Sequence, residues 1–387
     1  EKPVKDIRVI DLENNIGKSR AVNLSEIAES VDYIPLETTS ESIVGYLSLE
    51  KLIYENGLIF YKNNHLLKIF DSRGNFKSTF NKHGNGAKEY ISSSQTEISS
   101  DGEVISIGTY RNIQEYDTNG EYLRTIDFPV GDSIKNVIFS MLGKIANKYY
   151  VLTTSINNKE NNLNYSSIVI DSASNILLTL RYPEKEREFV KKLPLLNRVP
   201  NLSPSLYKYK DEIRIINGYD ENIININNEL KIDTVFKINY GKYNRNNPLN
   251  EEYKILDQYK SIFESSSYLF MQFRTNSLPF KKRKINNSNG KIVSLSLACS
   301  FFNKKTGEFT FIDPSEIDEF GFKDDINKGP ALWPLYISND DYMVSKIEAY
   351  KFIEYAQTHK VSDKFKKIAD NLKEDDNPVV VLVKFKK

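Results

Sequence analysis

Apolar and polar residues alternate along much of this chain, and the alternation returns in a repeating cassette. Each copy is a strand, a polar turn and a second strand. The clearest copies are LLKIFDSRGNFKSTF from Leu66, NIQEYDTNGEYLRTI from Asn112 and SSIVIDSASNILLTL from Ser166. Looser copies, NIININNELKIDTVF and CSFFNKKTGEFTFID, begin at Asn222 and Cys299. Alternation at period two marks a half-buried strand. Asp, Asn and Gly between two such runs supply the positive φ angles of a tight hairpin. A repeat this short cannot bury its own apolar face, so the copies must stack on one another.

Spacing then sets the architecture. The turn residues Asp71, Asp117, Asp171 and Asn227 lie 46, 54 and 56 residues apart. Propeller blades of four strands take roughly 40–50 residues each. The pattern predicts an all-β fold, a six-bladed β-propeller with four-stranded blades, as one domain over residues 1–387. Blade one is expected at Leu47–Ile53, Leu58–Lys62, Leu66–Asp71 and Asn75–Phe80. Blade two is expected at Gln95–Ser99, Val104–Gly108, Ile113–Asp117 and Tyr122–Ile126. The first strand of each blade should line a central channel.

Blades five and six are longer, and helical insertions account for the excess. Leu249, Tyr253, Leu256, Tyr259 and Phe263 follow Asn247-Pro248 at helical spacing. So do Ile347, Tyr350 and Ile353, then Phe365, Ile368 and Leu372, with a stop at Asp376-Asn377-Pro378. These helices are expected to pad the outside of the blades. Blade six has Pro334–Ser338, Asp341–Ser345 and Val379–Phe385 but lacks a fourth strand. The N-terminal strand Ile7–Leu12 is expected to pair beside Val379–Phe385 and close the last blade, removing an exposed sheet edge.

Composition fits a globular body. Hydrophobic residues make up 40%, with 24 Tyr and 21 Phe to pack between sheets. Lys and Arg number 53 against 52 Asp and Glu, so no overall charge draws the chain to nucleic acid. The basic run Lys281-Lys282-Arg283-Lys284 runs into Asn289-Gly290 and reads as a solvated loop tip. No stretch approaches the ~20 apolar residues of a spanning helix. Cys299 is the single cysteine, sits in an alternating strand, and reads as a buried inert thiol.

Three segments carry a family resemblance. Val31-Asp32-Tyr33-Ile34-Pro35-Leu36-Glu37-Thr38-Thr39, followed by Ser42-Ile43-Val44-Gly45, resembles the "yIpLET…s.iG" opening of the Bacteroidetes six-bladed β-propeller proteins. Gly84-Asn85-Gly86-Ala87-Lys88-Glu89-Tyr90 resembles their "GxGPgEY" motif, with Ala87 and Lys88 in place of Pro-Gly. Gly329-Pro330-Ala331-Leu332-Trp333-Pro334 resembles their "gpPfWP" motif. The resemblance spans nearly the whole chain and implies an NHL-like propeller. Its members are mostly exported, many as lipoproteins. It implies a periplasmic or cell-surface location, through a lipid anchor on a cysteine preceding the abrupt start at Glu1-Lys2-Pro3. It carries over no general biochemical activity.

Propeller ligands usually sit over the channel mouth, on loops that lead into the inner strands. The residues expected there are Lys82, His83, Glu89 and Tyr90 before blade two, Arg198 and Asn201 before blade four, Arg274 near the end of a blade-five strand, and Trp333 before blade six. Cations, a carboxylate and flat aromatic rings suit a glycan, peptide or protein ligand. No catalytic residue is assigned: there is no Gly-x-Ser-x-Gly elbow and no phosphate loop. Gly84 and Gly86 lack the third glycine and following helix of a dinucleotide fingerprint. His65, His83 and His359 show no zinc-ligand spacing, so no metal ligand or cofactor is assigned. The favoured reading is a non-catalytic, exported, monomeric binding or scaffold protein. The alternative is a metal-assisted propeller hydrolase or lyase, using a channel cation held by carboxylates and asparagines.

Overall fold

The computed structural model of the protein describes residues 7–386, apart from 46–49, 64, 92–94, 130–137, 156–164, 185–186, 189–203, 218–219, 244–256, 276–282, 287–291 and 314–320. Three short strands come first: β1 (Arg8–Asp11), β2 (Ser19–Arg20) and β3 (Ala28–Pro35). Sheet one is β4 (Glu50–Glu55), β5 (Leu58–Asn63), β6 (Leu66–Asp71) and β7 (Phe76–Phe80). Sheet two is β8 (Gln95–Ile98), β9 (Val104–Gly108), β10 (Asn112–Asp117) and β11 (Tyr122–Asp127). Sheet three is β12 (Ile138–Ile145), β13 (Tyr149–Ser155), β14 (Ser167–Ile170) and β15 (Ile176–Leu180). Sheet four is β16 (Ser205–Tyr209), β17 (Glu212–Ile216), β18 (Asn222–Ile226) and β19 (Ile232–Asn239). Sheet five holds β20 (Asp257–Glu264), β21 (Tyr268–Thr275), β22 (Arg283–Asn286), β23 (Ile292–Asn303) and β24 (Phe309–Ile312). Sheet six is β25 (Tyr336–Ile337), β26 (Tyr342–Ile347), β27 (Val379–Phe385) and the early strand β3. This is a six-bladed β-propeller.

Two further strands widen the set. β1 joins sheet four beside β19, and β2 runs parallel to β24 in sheet five. An N-terminal strand does close the last sheet, but it is β3 and not Ile7–Leu12. Its register on β27 runs from Val379 opposite Pro35 to Phe385 opposite Ala28. Both segments alternate, so periodicity could not choose between them. β3 wins because Val31 and Tyr33 bury into the core beside Val379, Val381 and Val383.

The helix expected at Leu249–Phe263 is not formed over its second half. Asp257–Glu264 is strand β20, paired with β21. Residues 249–256 lie outside the described residues. The fold needs an innermost strand there, and tertiary pairing overrides helical spacing. Two α-helices belong to sheet six: α1 (Ala349–Thr358) and α2 (Asp363–Ala369). They fill the β26–β27 connection. Tyr33 meets the rings of Phe352 and Phe365 edge-on, and Tyr355 donates to the Gly329 carbonyl at 3.1 Å.

The repeated turns share one chemistry. In each, the first side chain accepts from the backbone N–H two and four residues on. Asp71 does this for Arg73 and Asn75, Asp117 for Asn119 and Glu121, Asp171 for Ala173 and Asn175, and Asn227 for Glu229 and Lys231. The fourth turn position is left-handed throughout, as Gly74, Gly120, Ser174 and Leu230. Gly74 is constrained twice. Its φ is 86°, and a Cβ there would lie 2.2 Å from the Pro35 carbonyl oxygen.

Residue contacts divide the chain into two compact units, Glu1–Arg8 with Phe80–Ile238 and Val9–Thr79 with Asn239–Lys387. In the first unit, sheets two and three pack through Ile113 and Ile126 against Leu142, Tyr150, Leu152 and Ile168. Sheets three and four pack through Val151 and Val169 against Ile213, Ile215 and Ile226. In the second unit, Val344, Val380 and Leu382 of sheet six meet Leu52, Ile59, Tyr61 and Phe70 of sheet one. A polar clamp joins sheets two and three. The Glu115 carboxylate accepts from Ser106 at 2.7 Å, from Lys144 and Tyr150 at 2.8 Å and from Arg124 at 2.8 Å.

Candidate functional site

In each sheet the innermost strand runs from an upper end to a lower end. The second strand returns to the upper end, so the connections from strand two to three, and from strand four to the next sheet, are upper connections. In sheet two the register places Gln95, Gly108, Asn112 and Asp127 at the upper end. The Asp117 turn is at the lower end.

The sequence-derived candidates fall in several places. Lys82, His83, Glu89 and Tyr90 come together in one loop of the first unit. That loop closes on itself, with the Tyr90 N–H donating to the Lys82 carbonyl and Gly84 to the Tyr90 carbonyl. The Glu89 carboxylate accepts from the Gly86 N–H at 2.8 Å and fills the space beside Gly84. His83 Nε2 lies 3.0 Å from the Ile91 carbonyl. Tyr90 is only 2% exposed and packs on Phe80 and Tyr116. Tyr116 donates to the Lys88 carbonyl at 3.0 Å, Lys88 lies over the Tyr122 ring, and the Lys82 stem passes Gly120. The loop is therefore braced along the lower end of sheet two. Pro35 meeting Gly74 repeats the arrangement in the second unit: the chain leaving an outer strand passes the next sheet's turn, as strong strand twist requires.

Trp333 belongs to the second unit, in the connection from β24 to β25. It stacks on Phe322 at 6.0 Å and meets Phe270 edge-on. Around it, Asp324 accepts from the backbone of Ile326, Asn327 and Gly329 and from the Tyr33 hydroxyl. Burial, and then the Asp324 carboxylate, push the Tyr33 phenol above its ordinary range. A Cβ on Gly329 would meet that hydroxyl at 2.3 Å, which explains the glycine that opens this motif. Arg274 is the penultimate residue of β21, toward the upper end of sheet five. Arg198 and Asn201 lie outside the described residues. Cys299 is buried, with Gln272 Nε2 3.4 Å from its sulfur.

A different set stands out from hydrogen-bond accounting. Among the described residues, six buried side-chain polar atoms have no partner: Asn63 Oδ1, Ser167 Oγ, Arg187 Nε, Asn217 Oδ1, Asn327 Nδ2 and Trp333 Nε1. All six belong to upper connections or the strand ends that flank them. Asn63 ends β5, Ser167 begins β14, and Asn217 follows β17. Such an atom costs about 1–3 kcal/mol when left unpaired, and each one in a folded protein calls for a reason such as a ligand or an ordered water. In the first unit, Ser167 shares a strand face with Val169, and Asn217 with Ile213 and Ile215. Those apolar residues pack against each other between sheets three and four.

Two more features occur at upper ends. Tyr110, 72% exposed, sits at the tip of the β9–β10 connection beside exposed Arg111. Its turn is rigid: Thr109 Oγ1 accepts from Arg111 and Asn112 N–H groups and donates to the Asn112 side chain at 2.8 Å. In sheet one, Lys62 is buried next to Asn63 and faces Lys51 across the strands. Burial, and then the Lys51 charge, push its ammonium down to about 8. None of these had a signal in the sequence, because strand alternation does not report which polar atom lacks a partner.

No group of three His, Cys, Asp or Glu that could hold a metal ion occurs among the described residues, and no helix there is long and apolar enough to cross a membrane. Comparison with curated proteins found no match. Solved structures match the fold. One is a Bacteroides fragilis protein assigned to the exported class, at TM-score 0.65 and 14% identity, covering 99% of this chain and all of that one. Another is a member of the DUF4221 family from Bacteroides vulgatus, at TM-score 0.50 and 12% identity, covering 93% and 97%. A family model described as "Domain of unknown function (DUF4934)" matches residues 7–384. The chain belongs to that family.

Proposed function

We propose that this is a non-catalytic, exported binding protein that receives a carbohydrate on the upper connections of sheets two to four, in the first unit. One observation carries the reading: two of the unpartnered buried polar atoms of the first unit, Ser167 Oγ and Asn217 Oδ1, are a hydroxyl and a carboxamide atom at upper strand ends of sheets three and four. Neutral groups of this kind match sugar hydroxyls, which both donate and accept. Tyr110 supplies an exposed flat ring to stack on a sugar face, with Arg111 beside it. Trp333 and Arg274, in the second unit, stay as separate candidates, a ring and a cation. Lys82, His83 and Glu89, on the loop braced at the lower end of sheet two, form a separate candidate set, with Tyr90 as the anchor of their loop.

Export rests on the family resemblance and on the fold shared with the Bacteroides fragilis protein. Periplasmic or surface attachment through a lipid anchor is part of the proposal. Fractionation of cells expressing the full-length gene tests it, and recovery in the cytosol alone would overturn it.

A glycan array and a peptide array, each probed with wild type, Tyr110→Ala, Trp333→Ala and Ser167→Ala, test the binding reading. The expected result is glycan binding that Tyr110→Ala and Ser167→Ala weaken at least about tenfold, as loss of a contact anchor does. Ser167→Ala should leave the free protein as stable as wild type or more so, since it removes an unpaired group. Equal signals from all four proteins, or binding to peptides alone, would refute it.

A further inference from the structure

Arg187 is the one charged residue among the six whose buried polar atom has no partner, and the atom is its Nε. The chain leading to it folds over the upper end of sheet three. β15 ends at Leu180. Two residues on, Tyr182 is buried and its hydroxyl lies 2.9 Å from Thr154 Oγ1 of β13, so the chain has turned inward across the sheet. One helical turn follows, in which the Arg187 N–H donates to the Pro183 carbonyl at 3.1 Å. Thr154 pairs opposite Phe139 and alternates with Tyr150 and Leu152 onto the face that packs against sheet two. That seam is aromatic at its upper end. Phe128, Phe139 and Tyr165 are partly buried there, and Phe128 meets Phe139 edge-on at 5.0 Å. The Phe128 N–H donates to the Arg111 carbonyl at 2.9 Å, which ties the exposed Tyr110 tip to the same place. Thr154 Oγ1 is itself satisfied, since it donates to the Tyr165 carbonyl at 2.8 Å.

We infer that the carbohydrate is acidic, and that Arg187 holds its carboxylate or sulfate group at this aromatic seam. The inference rests on the carbohydrate reading above and adds the charge of the ligand. A buried guanidinium N–H needs an acceptor. A sugar hydroxyl is neutral and spends part of its capacity donating. A carboxylate or sulfate only accepts, and its charge is opposite. Arginine takes such groups side-on, with Nε and one Nη as the two teeth of a fork, and these bidentate pairs are among the strong hydrogen bonds. The unpaired Nε is one of those teeth. Exposed Arg111 is screened by water and salt, whereas the buried Nε is not, so Arg187 is the cation that should decide between acidic and neutral sugars. Tyr110 then stacks on the sugar ring, as in the reading above.

A paired glycan array tests this, with each carboxylated or sulfated oligosaccharide printed beside its carboxyl-reduced or desulfated form. Wild type should prefer the acidic member of a pair at least about tenfold, the gain from one hydrogen-bonded charge contact. The acid class it prefers tells carboxylate from sulfate. Arg187→Met should bring the two members of a pair to equal signal. It should melt no lower than wild type, because it removes a buried donor that has no acceptor. Arg187→Lys keeps the charge without the fork and should hold only part of the preference. A wild type that binds both members of each pair equally, or an Arg187→Met protein that keeps the preference or loses stability, would overturn this inference and leave the carbohydrate reading standing. A wild type that binds no glycan on the array would overturn the carbohydrate reading itself, and this inference with it.

Discussion

The clamp on Glu115 makes the sharpest stability prediction. This carboxylate is buried, with a side chain 1% exposed, and its Lys144 partner is 5% exposed. Burial alone would raise the Glu115 carboxyl. The Lys144 charge, with hydrogen bonds from Lys144, Ser106 and Tyr150, outweighs it and holds the group below the ordinary carboxylate range. Glu115→Ala strands the buried Lys144 ammonium and removes the acceptor for three other donors. Breaking one side of a buried pair costs about 3–5 kcal/mol. Lys144→Met should cost less, about 1–2 kcal/mol, because Arg124, Tyr150 and Ser106 still satisfy the carboxylate. The double variant Glu115→Leu/Lys144→Met should recover much of the loss, giving a large coupling energy in the cycle. Urea unfolding followed by circular dichroism reads all of these. The exposed pair Lys231–Glu229 serves as the control, and Glu229→Ala should leave the curve unchanged. Because the folded-state pKa of Glu115 is lowered, its stabilisation is complete above the unfolded value and is lost as pH falls through the folded one. A Glu115→Ala cost near that of Glu229→Ala, or an unchanged acid transition, would refute the buried-clamp reasoning.

Lys62→Met should stabilise the protein at pH 7 by up to about 3 kcal/mol, since a lysine whose folded pKa is about 8 pays for its charge below that pH. The advantage should shrink as pH rises from 8 toward the unfolded value; a constant gap would sink this account. At the repeated turns, Asp71→Asn should be tolerated at neutral pH, as Asn227 shows in the same role, whereas Asp71→Ala should lower the melting temperature. The Asn75 side chain and backbone hold the Asp71 carboxyl low, so its contribution should fade only in acid, and Asp71→Asn should flatten that fade in thermal melts at pH 3–7. Truncation through Leu12 removes the buried Ile10 and Leu12 and should cost several degrees in melting temperature. Truncation through Pro35 removes β3 and should abolish cooperative unfolding of the second unit, read from Trp333 fluorescence.

Much of the scaffold was legible because a strand period and a turn side chain are local signals. Strands β5, β6, β9 and β27 lie within a residue of their expected bounds, since Asp71, Asp117 and their equivalents fix where each hairpin turns. Two elements are decided by tertiary packing alone. Ile7–Leu12 and Ala28–Pro35 both alternate, and only the packing of Tyr33 between sheet six and its two helices selects the second. Leu256, Tyr259 and Phe263 keep helical spacing within a segment the sheet requires as strand. The site was less legible still. Glu89 and Tyr90 look like ligand groups in sequence, yet one folds back on its own glycines and the other fills an aromatic cluster. Asn63, Ser167 and Asn217 look ordinary, and only one unpaired buried atom on each marks them.

The pairing of β3 with β27 also orders events during synthesis. The 80–238 part of the first unit is one continuous stretch, so all of sheets two and three is available once residue 180 has left the ribosome. The second unit is assembled from both ends of the chain. Sheet six cannot form until its third strand has emerged to meet a strand made about 350 residues earlier. Closing so long a loop adds little entropy beyond that of a shorter one, because the cost grows only with the logarithm of length. The delay is set instead by translation, at about 5–20 residues per second. Until then β3 and the apolar face of β26 have no partner, and a nascent chain of this protein stays half-assembled until Val379–Phe385 emerges.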